Sequence, residues 1–358
     1  MPDLAIIFEV LLIVVKVVIL TMIIFSLPMP LTWMERKVAG HIQVRLGPMR
    51  VGPHGLLQPL ADTIKLLIKE DITPASADKF LYKIAPLVAM VPAFAVFVVI
   101  PFGDGLTIPF TDRELTLYIS DMNVGILYVL AVGGLSIYGI ILGGWASNSK
   151  YALLGGLRSS AQMISYEVAL SFSAIGVVMM TKTLSLVDMV KSQGAWFWHW
   201  NILYLPVGPI WFAIFIIASL AEMNRIPFDL PEDEGTLAAG YHTEYSGMRF
   251  SFFMLYEYIA MVTVSCLAVV MFFGGWNAPI DIREFEVLRL ITSIPLLYGL
   301  FGLFWFVVKV AVFIYCFMWV RFTLPRYRYD QLMTIGWKIL IPVSILNILL
   351  TGLVRIWT

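Results

Sequence analysis

Eight long apolar stretches are the feature that most constrains how this chain can fold. A helix needs about 20 apolar residues to cross the hydrocarbon core of a bilayer, where every backbone polar group must be paired internally. Only 13% of the residues are charged, about half the share typical of a soluble domain. We therefore predict an all-α, polytopic membrane protein with a single membrane domain over residues 1–358. The predicted spans, about eight in number, are residues 4–27, 84–102, 122–146, 160–180, 207–224, 251–273, 295–319 and 336–354.

The loops between these spans predict how the chain is oriented. Lys and Arg residues are concentrated in alternate loops, which the positive-inside rule assigns to the inner side of the membrane. Both chain termini are then expected on the outer side, and the acidic loop at residues 225–250 on the side of the cytoplasm or its mitochondrial equivalent. The first apolar stretch is too long for a signal-peptide core and lacks a small-residue cleavage site, so we expect a permanent span. With a formal net charge of zero and no basic run, no nucleic-acid partner is expected.

Cysteine and histidine residues do not predict a redox or metal centre in this chain. Cys266 and Cys316 both lie inside apolar stretches, and neither belongs to a CxxC motif. The four histidines are scattered, without the spacing of four residues that would place two ligands on one helix face. We therefore expect no protein-bound metal and no ligated cluster.

The first predicted inner loop, residues 28–83, is too long to be a simple connection. Within it, residues 54–70 have a helical periodicity that places Asp62 and Lys65 on one face and Leu60 and Ile64 on the other. This segment is too polar to span the membrane. We predict an amphipathic interfacial helix over about 54–70.

The second notable inner loop, residues 225–250, is strongly acidic. Its carboxylates alternate with aromatic side chains such as Phe228, Tyr241 and Tyr245, which a freely solvated loop does not need. We predict a partly buried loop that contacts a partner. A solvated acidic loop stays open as the alternative, whereas the spacing of a calcium-binding EF-hand is absent.

Ionisable residues inside predicted spans are costly and are therefore functional hypotheses. Each one alone has a plain structural explanation, and Glu222 with Arg225 could form an ion pair because they are three residues apart. The set of ionisable residues in the spans, which includes Glu167, Glu222 and Glu257, nevertheless favours a hydrated polar path through the bundle. Carboxylates in such a path are suited to relaying protons.

Several motifs occur together in this chain and resemble one family. They lie in the order and spacing of the H subunit of bacterial NADH:quinone oxidoreductase, respiratory complex I, which is called subunit 1 in mitochondria. The likeness covers nearly the whole chain. The motifs are the segment Glu35–Lys37 with the Gly-Pro pairs at 47–48 and 52–53, and the segments Gly144–Glu167, Ala221–Glu234, Gly240–Gly247 and Arg326–Met333.

The resemblance implies a multi-pass subunit of the bacterial inner (plasma) membrane, with tilted transmembrane helices and both termini on the periplasmic side. This subunit would form the access tunnel for quinone. Quinone would be a substrate bound together with neighbouring subunits, and this chain would carry no Fe–S cluster, flavin or metal. The implied partners are the hydrophilic quinone-module subunits, the adjacent membrane-arm subunits and membrane lipid. The acidic loop and the intramembrane carboxylates would couple quinone reduction to proton translocation.

The resemblance also assigns roles to individual positions of this sequence. The candidates for the quinone tunnel are Arg36, Arg45, Asp62 and Lys65. The candidates for the proton relay are Glu167, Glu222, Asp229, Glu232, Glu234, Glu244 and Glu257. The candidates for counter-charges are Arg225, Arg321, Arg326 and Arg328.

One position departs from the family pattern, and three alternatives stay open. The family usually has a further Glu two residues after the position of Glu234, where this chain has Thr236. The nearby Asp233 supplies a neighbouring charge. The alternatives are the membrane anchor of a related energy-converting hydrogenase or ferredoxin- or deazaflavin-linked oxidoreductase, a self-sufficient cation/proton antiporter, and a purely structural anchor.

Overall fold

Helices account for nearly all regular structure in the ranges that the structure describes. The computed structural model describes residues 2–107, 114–229, 239–280 and 295–357, with residues 2–8, 107 and 114 as backbone. The helices in these ranges are α1 (Pro2–Ser26), α2 (Pro28–Ile42), α3 (Gln58–Ile68), α4 (Lys79–Ala95), α5 (Gly125–Ala146), α6 (Lys150–Thr181), α7 (Leu186–Ser192), α8 (Val207–Glu222), α9 (Gly247–Phe272), α10 (Pro295–Thr323), α11 (Tyr329–Thr334) and α12 (Ile341–Trp357).

Shorter elements connect these helices. A π-helical turn, Ile335–Leu340, joins α11 to α12. Two strands of two residues each, β1 (Leu106–Thr107) and β2 (Glu114–Leu115), pair antiparallel. The 3₁₀ turns are Pro53–Gly55, Val96–Val98, Phe197–His199, Asn201–Leu203 and Gly240–His242.

The long helices are apolar enough to cross a membrane. Seven helical segments in the described ranges have the required length and composition, and α8 is an eighth apolar helix of 16 residues. The prediction of an all-α, polytopic membrane protein is thereby confirmed. The seven segments are Glu9–Ile42, Lys79–Val98, Gly125–Ala146, Lys150–Thr181, Gly247–Phe272, Pro295–Thr323 and Tyr329–Trp357.

Helices α4 and α6 begin at least five residues earlier than the apolar pattern predicts. Helix α4 starts at Lys79 because the Asp78 side chain accepts hydrogen bonds from the backbone N–H groups of Phe80 and Leu81, at 3.0 and 3.2 Å. Helix α6 starts ten residues before its predicted span. Its first turns are rich in small and polar residues, and these are buried against protein: Gly155 faces the backbone of Gly240. Hydropathy alone does not detect this kind of burial.

Helix α2 lies in a segment that was predicted as loop. Prolines near its start are compatible with the first helical turn, where backbone N–H groups lack intrahelical partners. Its buried positions include Leu31, Glu35, Val38 and Ala39, spaced as one face of a helix. Helix α3 lies within residues 54–70, the segment for which an amphipathic helix was predicted.

Buried polar side chains close the end of α9 at Phe272. The Lys309 ammonium donates to the carbonyl oxygens of Phe273 and Asn277, both at 2.6 Å, and to that of Gly275 at 3.0 Å. The Gln193 amide donates to Val270 O at 2.7 Å and accepts from the backbone N–H of Gly274 at 2.9 Å. A cation at a helix C-terminus is favourable because the terminal carbonyls carry partial negative charge. Lys309 therefore has a structural explanation.

Small residues allow neighbouring helices to approach closely. A Cβ atom added at Gly139 of α5 would overlap the backbone of Ala89 in α4, whereas one added at Gly133 of α5 would meet no atom within 4 Å. Close backbone approach through glycine is a common basis of helix packing in membranes.

We predict that Gly139→Ala destabilises the protein by roughly 1–3 kcal/mol, because the backbone of Ala89 cannot move aside without separating the two helices. Gly133→Ala, on the same helix, is the matched control and should be neutral or slightly stabilising. Thermal unfolding of both variants in detergent measures the difference. Equal unfolding temperatures would contradict close packing of α4 and α5 at Gly139.

Candidate functional site

A cavity of about 1040 Å³ lies between α2, the loop that follows it, α3, the first turns of α9 and the end of α10. This volume is at the upper end of the range for small-molecule sites. Apolar side chains make up much of the wall, with a few charged groups among them. The apolar lining includes Phe25, Met29, Leu46, Leu66, Leu67, Phe250, Phe252, Met254, Leu255 and Phe322. All four predicted tunnel residues also line it, namely Arg36, Arg45, Asp62 and Lys65.

Asp62 joins α3 to α2 at the wall of this cavity. Its carboxylate accepts from Arg36 Nη1 at 2.6 Å and from Gln58 Nε2 at 3.2 Å, and Lys65 Nζ lies 3.7 Å away. The Arg36 side chain is about half exposed, so this ion pair contributes little to stability on its own. Its consequence is geometric, because it places one carboxylate and two cations along the same wall.

A buried carboxylate that was not predicted from the sequence, Glu35, forms another part of the wall. Arg225 Nη1 lies 3.2 and 3.3 Å from its two oxygens, and Tyr258 donates its hydroxyl hydrogen at 2.8 Å. Arg321 also donates to the Glu35 carboxylate. The residue is 6% exposed, so these partners replace the water that the charge has lost.

The Arg225 guanidinium continues this network toward Glu257. Its Nη2 atom lies 3.9 Å from the Glu257 carboxylate, and His242 Nε2 lies 3.5 Å from the other oxygen of the same group. The guanidinium also lies over the Tyr258 ring, 4.8 Å from its centroid. We call the following residues the Glu35 cluster: Glu35, Arg225, His242, Glu257, Tyr258 and Arg321. Its two carboxylates are matched by two guanidinium groups.

Three local structures bring the cluster together. Glu35 occupies a position on the buried face of α2, between Leu31 and Val38. Arg225 lies in the turn after α8, where Asn224 adopts a positive φ of 49°, a conformation that Asn tolerates better than most residues. Glu257 lies on α9 and is 7% exposed.

Glu167 and Glu222 meet in a second, smaller cavity of about 60 Å³, lined also by Ser136 and Tyr256. Space for the Glu167 carboxylate depends on Gly134, since a Cβ atom there would overlap a carboxylate oxygen. The ion pair of Glu222 with Arg225, which their spacing allows, is not formed, because the turn after α8 directs Arg225 to Glu35 and Glu257 instead.

The structure distributes the remaining predicted residues over separate places. Asp229 lies 3.6 Å from Arg326, near the stacked rings of Phe228 and Tyr327. Arg328 pairs with Asp330 at 3.3 Å on the exposed surface, apart from the Glu35 cluster. Glu244 belongs to another contact, where its carbonyl oxygen accepts from the Tyr82 hydroxyl at 2.6 Å. The positions Glu232, Glu234 and Thr236 lie outside the described residues.

Three members of the cluster, Glu35, Tyr258 and His242, were not predicted from the sequence. A signal for Glu35 exists, because it falls on the apolar stripe of α2, where a carboxylate is unexpected. That signal requires recognising residues 28–42 as a helix. Tyr258 carries no comparable signal, because aromatic residues are common in apolar stretches. His242 lies in the acidic loop, where no spacing marks it as a site residue. Within the described ranges, no group of three His, Cys, Asp or Glu side chains is placed to hold a metal ion.

The fold and site define a multi-span membrane protein whose apolar cavity adjoins a buried network of ionisable side chains. The family model described as NADH dehydrogenase matches residues 14–352. The chain belongs to this family.

Curated relatives agree with the family match over almost their whole length. The chain is 56% identical to the NADH-quinone oxidoreductase H subunit numbered 2 of Rhizobium meliloti (strain 1021), over 96% of this chain and 97% of the relative. It is 57% identical to the protein of the same name from Rhizobium etli, over 95% of this chain and 93% of that relative. A third relative, the H subunit of the same oxidoreductase from Protochlamydia amoebophila, is 49% identical over 90% of this chain and 91% of that relative.

We predict that Glu35→Gln lowers the free energy of unfolding by about 3–5 kcal/mol, because it leaves two guanidinium groups facing a neutral amide. Asp330→Asn is the control, since its ion pair with Arg328 is exposed and its loss should cost at most about 1 kcal/mol. Chemical denaturation in detergent measures both values. Similar losses for the two variants would show that the Glu35 cluster does not stabilise the fold.

Proposed function

We propose that this chain is the membrane subunit of an NADH-quinone oxidoreductase, in which it forms the access path for quinone and couples quinone reduction to proton translocation. The observation that carries this proposal is the 1040 Å³ cavity, whose wall includes Glu35, Tyr258 and Arg321 of the buried cluster. A ligand in this cavity is thus in contact with a network of balanced charges. The relatives, which are named as H subunits of NADH-quinone oxidoreductase, support the assignment.

The lining of the cavity suits a quinone. A quinone combines an apolar tail with a small polar head, and the wall offers phenylalanine, leucine and methionine side chains for the tail. Arg36, Asp62 and Lys65 supply polar groups near one part of the wall. This chain would guide quinone, whereas neighbouring hydrophilic subunits would supply the redox centre and hold the headgroup.

Quinone reduction would perturb the Glu35 cluster electrically. Reduction would add two electrons to the quinone, and the two protons that complete the quinol would come from nearby donor groups. Negative charge would therefore develop on the headgroup or on those donors until they are reprotonated. Because the surroundings of Glu35 are buried, a change of charge nearby is poorly screened and shifts the balance between its partners. Arg225 contacts both Glu35 and Glu257, so weakening one contact favours the other. Carboxylates coupled in this way titrate as a group.

Helix α9 would carry the perturbation from the cavity into the bundle. Three successive residues face three successive stages of the proposed path: Tyr258 bonds to Glu35, Glu257 lies beside Arg225, and Tyr256 lines the small cavity with Glu167 and Glu222. Successive residues of a helix point about 100° apart, so a single helix can border all three places. Glu257, Glu222 and Glu167 are the carboxylates that would exchange protons along it.

The location and partners of the chain are part of the same proposal. We place the chain in a bacterial inner membrane with both termini on the outer side, following the distribution of Lys and Arg in the loops. The hydrophilic quinone-module subunits would then cover the end of the bundle that carries Arg36 and Arg225. Adjacent membrane-arm subunits would receive the charge signal, and lipid would surround the rest.

We predict that a photoreactive quinone analogue labels the assembled complex between Arg36 and Lys69 and in the first turns of α9. The segments line the large cavity, so excess quinone should compete with the label. A third cavity, of about 340 Å³ and lined by Asp104, Lys191 and Asn277, serves as the internal control and should stay unlabelled. Labelling confined to this 340 Å³ cavity would refute the proposed access path.

We predict that Glu257→Gln lowers proton pumping and quinone-coupled turnover by about tenfold or more, because a neutral amide cannot exchange a proton along the path. Glu222→Gln should have the same effect. Glu9→Gln is the matched control, since Glu9 is exposed on α1 and belongs to neither carboxylate group. Proton pumping and quinone-coupled turnover are measured in inside-out vesicles that contain normally assembled complex. Unchanged pumping in Glu257→Gln and Glu222→Gln would refute the relay.

A further inference from the structure

The turn that carries Arg225 is held by a buried amide on α6. Gln162 Nε2 lies 2.8 Å from the carbonyl oxygen of Ala221, 3.2 Å from Asn224 Oδ1 and 2.9 Å from the carbonyl oxygen of Phe228. These three acceptors lie before, within and after the turn. The NH₂ group has two hydrogens to share among these three acceptors, so one side chain of α6 holds the turn near both of its ends.

The chemistry of the three contacts determines which way the amide points. All three neighbours are acceptor oxygens, so the terminal atom that faces them must be the NH₂ group, the donor of the amide. Gln162 has no exposed surface. Hydrogen bonds that are made in such surroundings restrain geometry strongly, because water cannot replace a lost donor.

Asn224 fastens the middle of the turn a second time. Its Nδ2 atom donates to Ser159 Oγ at 2.7 Å, one helical turn before Gln162 on α6. Its backbone has the positive φ of 49° that allows the chain to reverse after α8. The position of the next residue, Arg225, follows directly from this anchored backbone.

We propose that Gln162 is a positioning residue that sets the reach of the Arg225 guanidinium to Glu35 and Glu257. The inference rests on the proposed function, in which Arg225 connects the cavity to the intramembrane carboxylates. Arg225 lies 3.2 Å from one carboxylate and 3.9 Å from the other, so a small displacement of the turn changes which carboxylate it favours. Gln162 is not among the residues that line the large cavity, so its effect is on turnover and not on quinone binding.

The chain offers a matched control in Gln193. This glutamine is equally buried and likewise ties one segment to the next, donating to Met189 O and Val270 O and accepting from Gly274 N. Gln193 follows α7 and contacts the C-terminal end of α9. Arg225 instead contacts Glu257 and Tyr258 in the N-terminal half of α9. A general loss of stability from removing a buried amide should be common to Gln162→Met and Gln193→Met. An effect transmitted through Arg225 should be confined to Gln162→Met.

The test uses the complete complex in membrane vesicles, with Q162M, Q193M, R225M and the Q162M/R225M double variant. Electron transfer from NADH to a soluble artificial acceptor normalises each preparation for assembled enzyme. We expect Q162M to lower kcat for quinone reduction by about fivefold, with KM for quinone changed less than about twofold. Q193M should keep the kcat of the unmodified enzyme. The double variant should be no slower than R225M alone, because Gln162 acts through Arg225.

Each other outcome has a defined meaning. An unchanged kcat in Q162M, an equal loss in Q193M, or multiplied losses in the double variant would overturn the positioning role and leave the proposed function intact. An unchanged kcat in R225M would overturn the proposed function and this inference with it. If Q162M does not assemble, Q162N decides, because its amide is one methylene shorter and reaches fewer of the three acceptors. A kcat below that of the unmodified enzyme supports the role, and an unchanged kcat overturns it.

Discussion

The burial of one carboxylate, Glu35, is the constraint on which the rest of the site depends. A charge in a water-poor interior needs partners of opposite charge with good geometry, and these come from Arg225, Arg321 and Tyr258. The partners belong to the turn after α8, to α9 and to α10. Satisfying a single carboxylate therefore draws together four parts of the chain that are distant in sequence, and the large cavity forms where they meet.

The same requirement explains why the site is both ordered and responsive. The Glu35 cluster is balanced, with two carboxylates and two guanidinium groups, so it is stable as long as no charge nearby changes. Arg225 bonds to Glu35 and lies close to Glu257, and its own position is held by the Gln162 amide on α6. A rigid backbone thus supports a cation between two carboxylates, an arrangement suited to passing on an electrical change.

Sequence patterns predicted the spans well but could not locate the site completely. Long apolar stretches are a strong signal, because a membrane helix must hide its backbone from lipid. Helix α2 was missed because its prolines and its charged residues resemble a loop, and with it Glu35 was missed as a buried group. The tunnel candidates Arg36, Arg45, Asp62 and Lys65 were selected by resemblance, and all four line the large cavity.

The sequence by itself determined the class of protein and the family, because hydropathy and motif spacing are written along the chain. Only the tertiary structure decided the pairings. Glu222 and Arg225 are three residues apart, yet the turn at Asn224 directs Arg225 to Glu35, which lies 190 residues away in sequence. Glu222 instead shares a small cavity with Glu167. The partners of a buried charge depend on which helices pack together, and that information is absent from any local pattern.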